Sequence, residues 1–291
     1  MLRALSYLHD PTDITAIVNV GDDLVLHGLT ICPDIDSITY TLSGLNDEVR
    51  GWGLTDESWR VMGELGELGG ENWFSLGDRD LATHLYRSER MSRGATKSDV
   101  TTEIATRRGV AVKLLPVTDD ELSTVLDTEI GRLSFQQYFV QHHHSVAVSA
   151  IHFENADRAR PTPQVVAALA SASQIIIAPS NPLLSIDPIL AVPGVREILI
   201  ARREHVIAVS PFIGGAAIKG PADRLMNELG HGANNVALAS YYKELIGTLV
   251  IDTLDAHESA AIEALGVRAH VVPTLMKDEA TSRALAASVL R

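Results

Sequence analysis

Two acidic clusters stand out for their type and spacing. Val18-Asn19-Val20-Gly21-Asp22-Asp23 ends a short apolar run in two carboxylates, and Cys32-Pro33-Asp34-Ile35-Asp36 follows soon after. Carboxylates so placed can hold Mg²⁺, which takes one or two of them and shares the oxygens of substrate phosphates. The competing reading is an N-cap at Asp34 and favourable helix-dipole placement of Asp36. It leaves Asp22 and Asp23 unexplained. Two further loops carry groups that suit an anion. In Ala178-Pro179-Ser180-Asn181-Pro182, Ser180, Asn181 and free backbone N–H groups either cradle a phosphate or make an ordinary turn. In Ser210 to Pro221, Gly214 and Gly215 allow close backbone approach and Lys219 adds charge, though the spacing is not that of a Walker A loop.

A fifth segment, Gly77-Asp78-Arg79-Asp80, opens a helix whose Arg79, Thr83, Tyr86 and Arg90 share one face, either a ligand surface or a solvated one. Trp52, Trp59, Trp73 and Phe74 gather in the same region of a chain with only 5% aromatics. They form an aromatic ligand surface or pack the core. His142-His143-His144 converges poorly if it ends a strand, because neighbouring side chains there point to opposite faces, so no metal is expected on it. Cys32 reads as a small buried hydrophobe.

The elements that must position these groups alternate. Thr15 to Val20 is a strand buried on both faces, and ligands of open α/β sheets bind at the carboxyl edge of such strands. From about Pro33 to Ser145 the pattern is mainly helical: Pro33 onward, Asp56–Leu68, Asp78–Arg93, and a helix from a Thr96-x-x-Asp99 capping box to Arg108. Within it, Val110–Pro116 is a strand, and Thr124–Ile130 with Leu133–Val140 reads as a hairpin. After Val146, helices (Pro161–Ser173, Pro188–Arg203, Pro221–Leu229, Asn235–Ile246, Ala256–Leu265, Lys277–Leu290) alternate with apolar strands (Gln174–Ala178, His205–Ser210, Thr248–Ile251, Arg268–Val272). The fold class is therefore α/β: a Rossmann-like parallel sheet with helices on both faces and a mainly helical insertion. The expected division is a core of residues 1–32 and 146–291 and an insertion of residues 33–145.

Composition narrows the function. The chain has 291 residues, 46% of them apolar, and a formal net charge of −13. That suits one large domain or a core with an insertion, and argues against disorder and nucleic-acid binding. A single cysteine excludes an internal disulfide framework and fits a reducing cytoplasm. No apolar run has the length of a membrane span, and Met1 to Leu8 lacks the apolar core of a signal peptide.

Taken in order, these segments, together with Arg50-Gly51-Trp52-Gly53, the run to Thr83-His84, Phe135-Gln136-x-Tyr138-Phe139 and Pro273-Thr274-Leu275-Met276, make a series. It resembles the 2-phospho-L-lactate transferase family of coenzyme F-420 biosynthesis, including its phosphoenolpyruvate-type members, over nearly the whole chain. The resemblance implies transfer of a phospho-lactyl or phospho-enolpyruvyl group from a GDP-linked donor to the terminal hydroxyl of the deazariboflavin Fo, with release of GMP. It implies a homodimer. It also implies Asp36 and Arg79 as contacts to Fo; Asp22 and Asp34, with Asp23 nearby, as Mg²⁺ ligands or base; and Ser180, Asn181 and Lys219 on the donor phosphates. The catalytic set is thus Asp22, Asp34 and Asp36. Two rivals are a nucleotide-sugar-binding regulator of the gluconeogenesis-factor type, disfavoured by the insertion's motifs, and a truncated or inactive paralogue.

The family opens with a strand and a Gly-Gly-Thr-Gly-Gly-like loop before a helix. Here Met1-Leu2-Arg3 stands where that helix is already under way, so the expectation is a core short of its first strand and its phosphate-facing glycines. This predicts weak donor binding with Fo binding better kept. Calorimetric titration of both ligands checks it, and tight GDP binding would overturn it.

Overall fold

The computed structural model describes residues 1–290. A short helix α1 (Leu2–Leu5) leads to strand β1 (Thr15–Val18) and a tight hairpin, β2 (Leu24–Leu26) and β3 (Leu29–Ile31). Helices α2 (Pro33–Leu42), α3 (Arg60–Glu67), α4 (Asp78–Ser92) and α5 (Lys97–Arg107) follow. Next come β4 (Lys113–Pro116), β5 (Ser123–Thr128), β6 (Gly131–Ser134) and β7 (Val148–Glu154). The alternating part runs α6 (Pro163–Ser171), β8 (Ile175–Ile177), α7 (Asp187–Leu190), α8 (Val195–Ala201) and β9 (Val206–Val209). A small hairpin, β10 (Phe212–Ile213) and β11 (Ala216–Ala217), precedes α9 (Ala222–Glu228), α10 (Asn235–Tyr242), β12 (Thr248–Ile251), α11 (Ser259–Ala264), β13 (Arg268–Val271) and α12 (Glu279–Val289).

The parallel character expected from the sequence holds. Strands β13, β12, β9 and β8 form one parallel sheet in that order, and β1 pairs in parallel with β4, Thr15 opposite Lys113 and Val18 opposite Pro116. Among the described residues no ladder joins β1 to β8, so the parallel strands make two separate sheets. The expected boundaries at 33 and 145 are crossed twice: β4 lies within the 33–145 stretch yet pairs with β1, and β7 lies beyond it yet pairs with β5. One apolar core accordingly runs through both parts, from Val18 and Ile35 through Tyr138 to Leu249.

Three local readings need correction. Leu133–Val140 is not one strand: β6 stops at Ser134, and a wide helical turn spans Gln137–Gln141. The reason is Phe135 and Phe139, which at helical spacing stack 5.3 Å apart with planes 10° from parallel. The antiparallel partner of β5 beyond β6 is instead β7, which gives the insertion a three-stranded sheet. The histidine tract follows that turn rather than ending a strand, with His143 and His144 in the left-handed region. Pro188–Arg203 is two helices, interrupted around Gly194 at φ 93°.

The helices start where their chemistry says. Thr96 and Asp99 form the reciprocal capping box at α5. At α4, the Glu57 carboxylate accepts from the backbone N–H of Arg79 (2.7 Å) and Asp80 (3.0 Å). Gly77 permits this, since a Cβ there would fall within 2.4 Å of Glu57. Farther along α4, Arg87 is fully buried and donates two hydrogen bonds to the Asp36 carboxylate of α2, which locks the two helices together.

Removing one member of a buried ion pair strands the other charge, at about 3–5 kcal/mol, whereas replacing both with apolar groups is close to neutral. Arg87→Met should therefore lower unfolding free energy by about that much, and Arg87→Met with Asp36→Leu should restore most of it. Urea denaturation measures both.

Candidate active site

At the carboxyl end of β1 the chain turns sharply through Gly21. A Cβ on Gly21 would lie 2.5 Å from Thr124 Oγ1 and 3.0 Å from Pro188 Cβ, so only glycine fits where this turn presses on β5 and α7. The turn delivers Asp22 into a cleft of about 1000 Å³ bounded by both parts of the chain. Asn19 organises it: its Oδ1 accepts from Gly21 N at 2.8 Å, and its Nδ2 donates to Asp34 Oδ2 at 3.1 Å. The Gln136 amide donates to the Asp22 backbone carbonyl at 2.9 Å, a support that the sequence reading missed.

Asp22 and Asp34 both line the cleft. Burial and the neighbouring Asp34 carboxylate push the Asp22 acid well above the usual range, and Asp22 Oδ1 is buried with no hydrogen-bond partner. Burial raises Asp34 to about 6 against the pull of the Asn19 amide, with Asp23 adding to the rise. N-capping does not account for Asp34, because the N-cap position of α2 is Cys32. Two crowded carboxylates with an orphaned oxygen are a donor set for a hard cation. Among the described residues no group of three or more His, Cys, Asp or Glu side chains forms a cage. Mg²⁺ held there would take its remaining positions from water and phosphate oxygens.

The other two acids each meet a cation of the chain itself, although Asp23 Oδ1, like Asp22 Oδ1, is buried without a hydrogen-bond partner. Asp23 turns from the cleft to Lys97 Nζ at 2.6 Å, with the Cys32 thiol donating to it at 3.4 Å. Cys32 is fully buried, and burial raises its thiol well above its ordinary value, which suits a packing role. Asp36 borders the cleft but is held by Arg87. Arg79 is not in the cleft wall. Its guanidinium donates to the Thr55 carbonyl, tying the segment before Glu57 onto α4. The α4 residues facing the cleft are Asp80 and His84, with Tyr40 of α2 donating to Asp80 Oδ1 at 2.5 Å. The spacing of Asp80, His84 and Arg87 along one helical face is a signal that could have found them.

Across the cleft stand Ser180, Asn181 and Lys219. Asn181 Oδ1 caps the turn after it, accepting from Leu183 N (3.0 Å) and Leu184 N (3.2 Å). Its Nδ2 is buried without a partner, a donor left for a ligand. Gly214 and Gly215, at φ 61° and 79°, close the β10–β11 hairpin rather than a phosphate loop, and Lys219 follows on an exposed stretch. Of the clustered aromatics, Trp52 and Phe74 line the cleft, while Trp59 and Trp73 pack edge-on against them from outside, each with centroids 5.7 Å apart. His143 also reaches the cleft.

A family model for 2-phospho-L-lactate transferase CofD matches residues 1–285. The chain is 44% identical over 289 residues to a phosphoenolpyruvate transferase of Kitasatospora aureofaciens, covering 97% of this chain and 90% of that one. It is 40% identical to a protein of the same name from Streptomyces griseus subsp. griseus, with 99% and 93% covered. It is also 38% identical to one from Mycobacterium avium, with 96% and 85% covered. A crystal structure of a UPF0052-family protein from Bacillus halodurans shares the fold, with a TM-score of 0.64 at 16% identity over 100% of this chain and 94% of that one. Among the described residues no helix is long and apolar enough to cross a membrane.

Asp34 carries its proton to higher pH in the folded state than in the unfolded chain, so deprotonation weakens the metal-free fold as pH rises from about 4 through 6. Mg²⁺ must displace that proton and the one that Asp22, raised further still, also holds. Thermal stabilisation by Mg²⁺ should therefore grow as pH rises through 6, and the affinity should fall by at least about tenfold per pH unit below pH 6. Asp34→Asn should raise the melting temperature of the metal-free protein at pH 7.5 and abolish its response to Mg²⁺. Differential scanning fluorimetry across pH checks both.

Proposed function

The chain belongs to the 2-phospho-L-lactate transferase family, a transferase of coenzyme F-420 biosynthesis, and we propose that it moves a phospho-enolpyruvyl group from a GDP-linked donor to the terminal hydroxyl of Fo, releasing GMP. The observation that carries this reading is the uncompensated carboxylate pair, Asp22 and Asp34, facing the donor groups of Ser180, Asn181 and Lys219 across one cleft. The names of the relatives favour phospho-enolpyruvyl over phospho-lactyl as the group moved.

In this reading the Fo hydroxyl oxygen forms a bond to the phosphorus that carries the acid, and the bond from that phosphorus to the bridging oxygen of GMP breaks. The attacking hydroxyl gives up its proton, and the Asp22–Asp34 pair, whose acids are raised by burial, is the acceptor beside it. Asp22 and Asp34 are also the residues that would hold Mg²⁺, which would offset the charge of the donor phosphates when bound. Lys219, the Asn181 Nδ2–H and Ser180 neutralise and orient the donor. Trp52 and Phe74 offer faces to the deazaflavin ring, and Asp36 borders its space. Arg79 acts from behind the wall, through the Thr55 segment it anchors. A cytoplasmic homodimer fits the single buried cysteine and the family reading.

Incubation with Fo, Mg²⁺ and each of the enolpyruvyl, lactyl and glyceryl GDP-linked donors, followed by mass spectrometry, tests the proposal. A phosphodiester product is expected with the enolpyruvyl donor, and no product from any of the three would overturn it. Asp22→Asn and Asp34→Asn should each lower kcat by about a hundredfold or more.

A further inference from the structure

The segment leaving the carboxyl end of β12 does not line the cleft, yet it holds the loops that do. It carries three acids, Asp252, Asp255 and Glu258, in and beside a short 3-10 turn, Thr253–Glu258. Asp252 Oδ2 accepts from Thr274 N at 2.7 Å and from Thr274 Oγ1 at 3.1 Å. Glu258 Oε2 accepts from Asn235 N at 3.0 Å, and Asn235 Oδ1 in turn accepts from the Ser210 hydroxyl. Asp255 Oδ2 accepts from Gly214 N at 2.9 Å. Thr274 and Ser210 stand in the cleft wall, and Gly214 is at the tip of the β10–β11 hairpin that leads to Lys219.

Of the three acids, Asp255 answers the weakest element. Strands β10 and β11 have two residues each and share two pairs, Phe212 with Ala217 and Ile213 with Ala216. A two-stranded ribbon of that length does not hold itself in water. Its tip is Gly214 and Gly215, both exposed and with no side chain to pack. Asp255 is 2% exposed, and a carboxylate is taken so far from water only where hydrogen bonds answer it. Its bond to Gly214 N fixes the tip from outside the ribbon. Leu254 lies over the same glycine, its Cδ1 3.9 Å from where a Cβ would stand. Strand β11 then delivers Lys219, itself exposed, two residues beyond its end.

We propose that Asp255 is a positioning residue for the transfer reaction: by anchoring the β10–β11 hairpin it sets where the Lys219 ammonium meets the phosphates of the donor. This rests on Lys219 serving those phosphates. Asp255 is absent from the cleft wall and acts only through the chain it holds. Among the described residues the three acids bond to Thr274, Gly214 and Asn235 and to their own turn, and to nothing on α2 or α4. Loss of the Asp255 anchor therefore disturbs the donor and spares Fo.

Steady-state kinetics of the intact protein with Fo, Mg²⁺ and the enolpyruvyl GDP-linked donor test this. Asp255→Ala should lower kcat/KM for the donor about tenfold, while the KM for Fo stays within about twofold of wild type. Asp255→Asn keeps an acceptor for Gly214 N and should restore the donor value. Lys219→Ala should also lower kcat/KM for the donor, and in that background Asp255→Ala should cost less than about twofold more, since both act through one contact. A merely structural role would give losses that multiply, or that reach Fo and the donor alike, and either result overturns the inference. An unchanged donor value in Asp255→Ala overturns it too and leaves the transferase reading intact. Absence of product from the wild-type protein overturns both. Where the alanine variant does not fold, Asp255→Glu, one methylene too long for the same bond, takes its place in each comparison. Hydrogen exchange on the wild-type protein needs no variant: the Gly214 amide should exchange at least about tenfold more slowly than that of Gly215, and equal rates overturn the inference.

Discussion

Desolvation of two neighbouring carboxylates, Asp22 and Asp34, is the constraint from which the rest of this molecule follows. Asp22 and Asp34 are held near each other with their charges unmatched by any side chain. Isolated, such a pair relaxes by moving apart or by keeping its protons. Here it cannot move apart. Asn19 ties the Asp22 turn and the Asp34 side chain to one amide, Gln136 grips the Asp22 carbonyl, and Gly21 is wedged against Thr124 and Pro188. The fold thus keeps an unfavourable arrangement of acids in place, one that a cation from outside would relieve. A site that binds hard cations through few ligands needs that kind of pre-organisation.

Two neighbouring acids show the contrast. Asp23 adjoins Asp22 and is answered by Lys97, and Asp36 lies two residues from Asp34 and is answered by Arg87. Four aspartates of one short region are therefore sorted into pairs, one matched by the chain's own cations and one left open. The matched pair does structural work: Lys97 brings α5 to the β1 turn, and Arg87 joins α4 to α2. The same Arg87 donates to His84 Nδ1, so one guanidinium holds α2 and a second residue of α4 at once.

Much of this was legible in the sequence. The Thr96–Asp99 capping box and the parallel strands of the alternating part follow from patterns within a few residues and stand as expected, whereas the strand expected over Thr15–Val20 and buried on both faces ends at Val18, with Thr15 exposed and Ala16 and Ile17 half-buried. The acids were legible as a cluster, but their sorting was not. Whether Asp22 or Asp23 faces the cleft depends on where Lys97 arrives, and nothing local to Gly21-Asp22-Asp23 encodes that. Arg79 and Asp80 were separated for a similar reason. Adjacent helical residues point roughly 100° apart, and the sequence does not say which direction is the cleft. The wide turn at Gln137–Gln141 was hidden because Leu133-Ser134-Phe135-Gln136 alternates as a strand does, and the helical spacing of Phe135, Tyr138 and Phe139 begins inside that run.

The pairing of β1 with β4 has a kinetic side. Thr15 finds its partner only at Lys113, after four helices have intervened, so this ladder closes one of the longer loops in the chain and is among the slower contacts to form. The turn bearing Asp22 hangs from that ladder, and its buttress Gln136 lies farther along still. The acidic pair is consequently complete only when that long-range ladder and the Gln136 contact have both formed, so its geometry hangs on pairings across about a third of the chain rather than on any local segment.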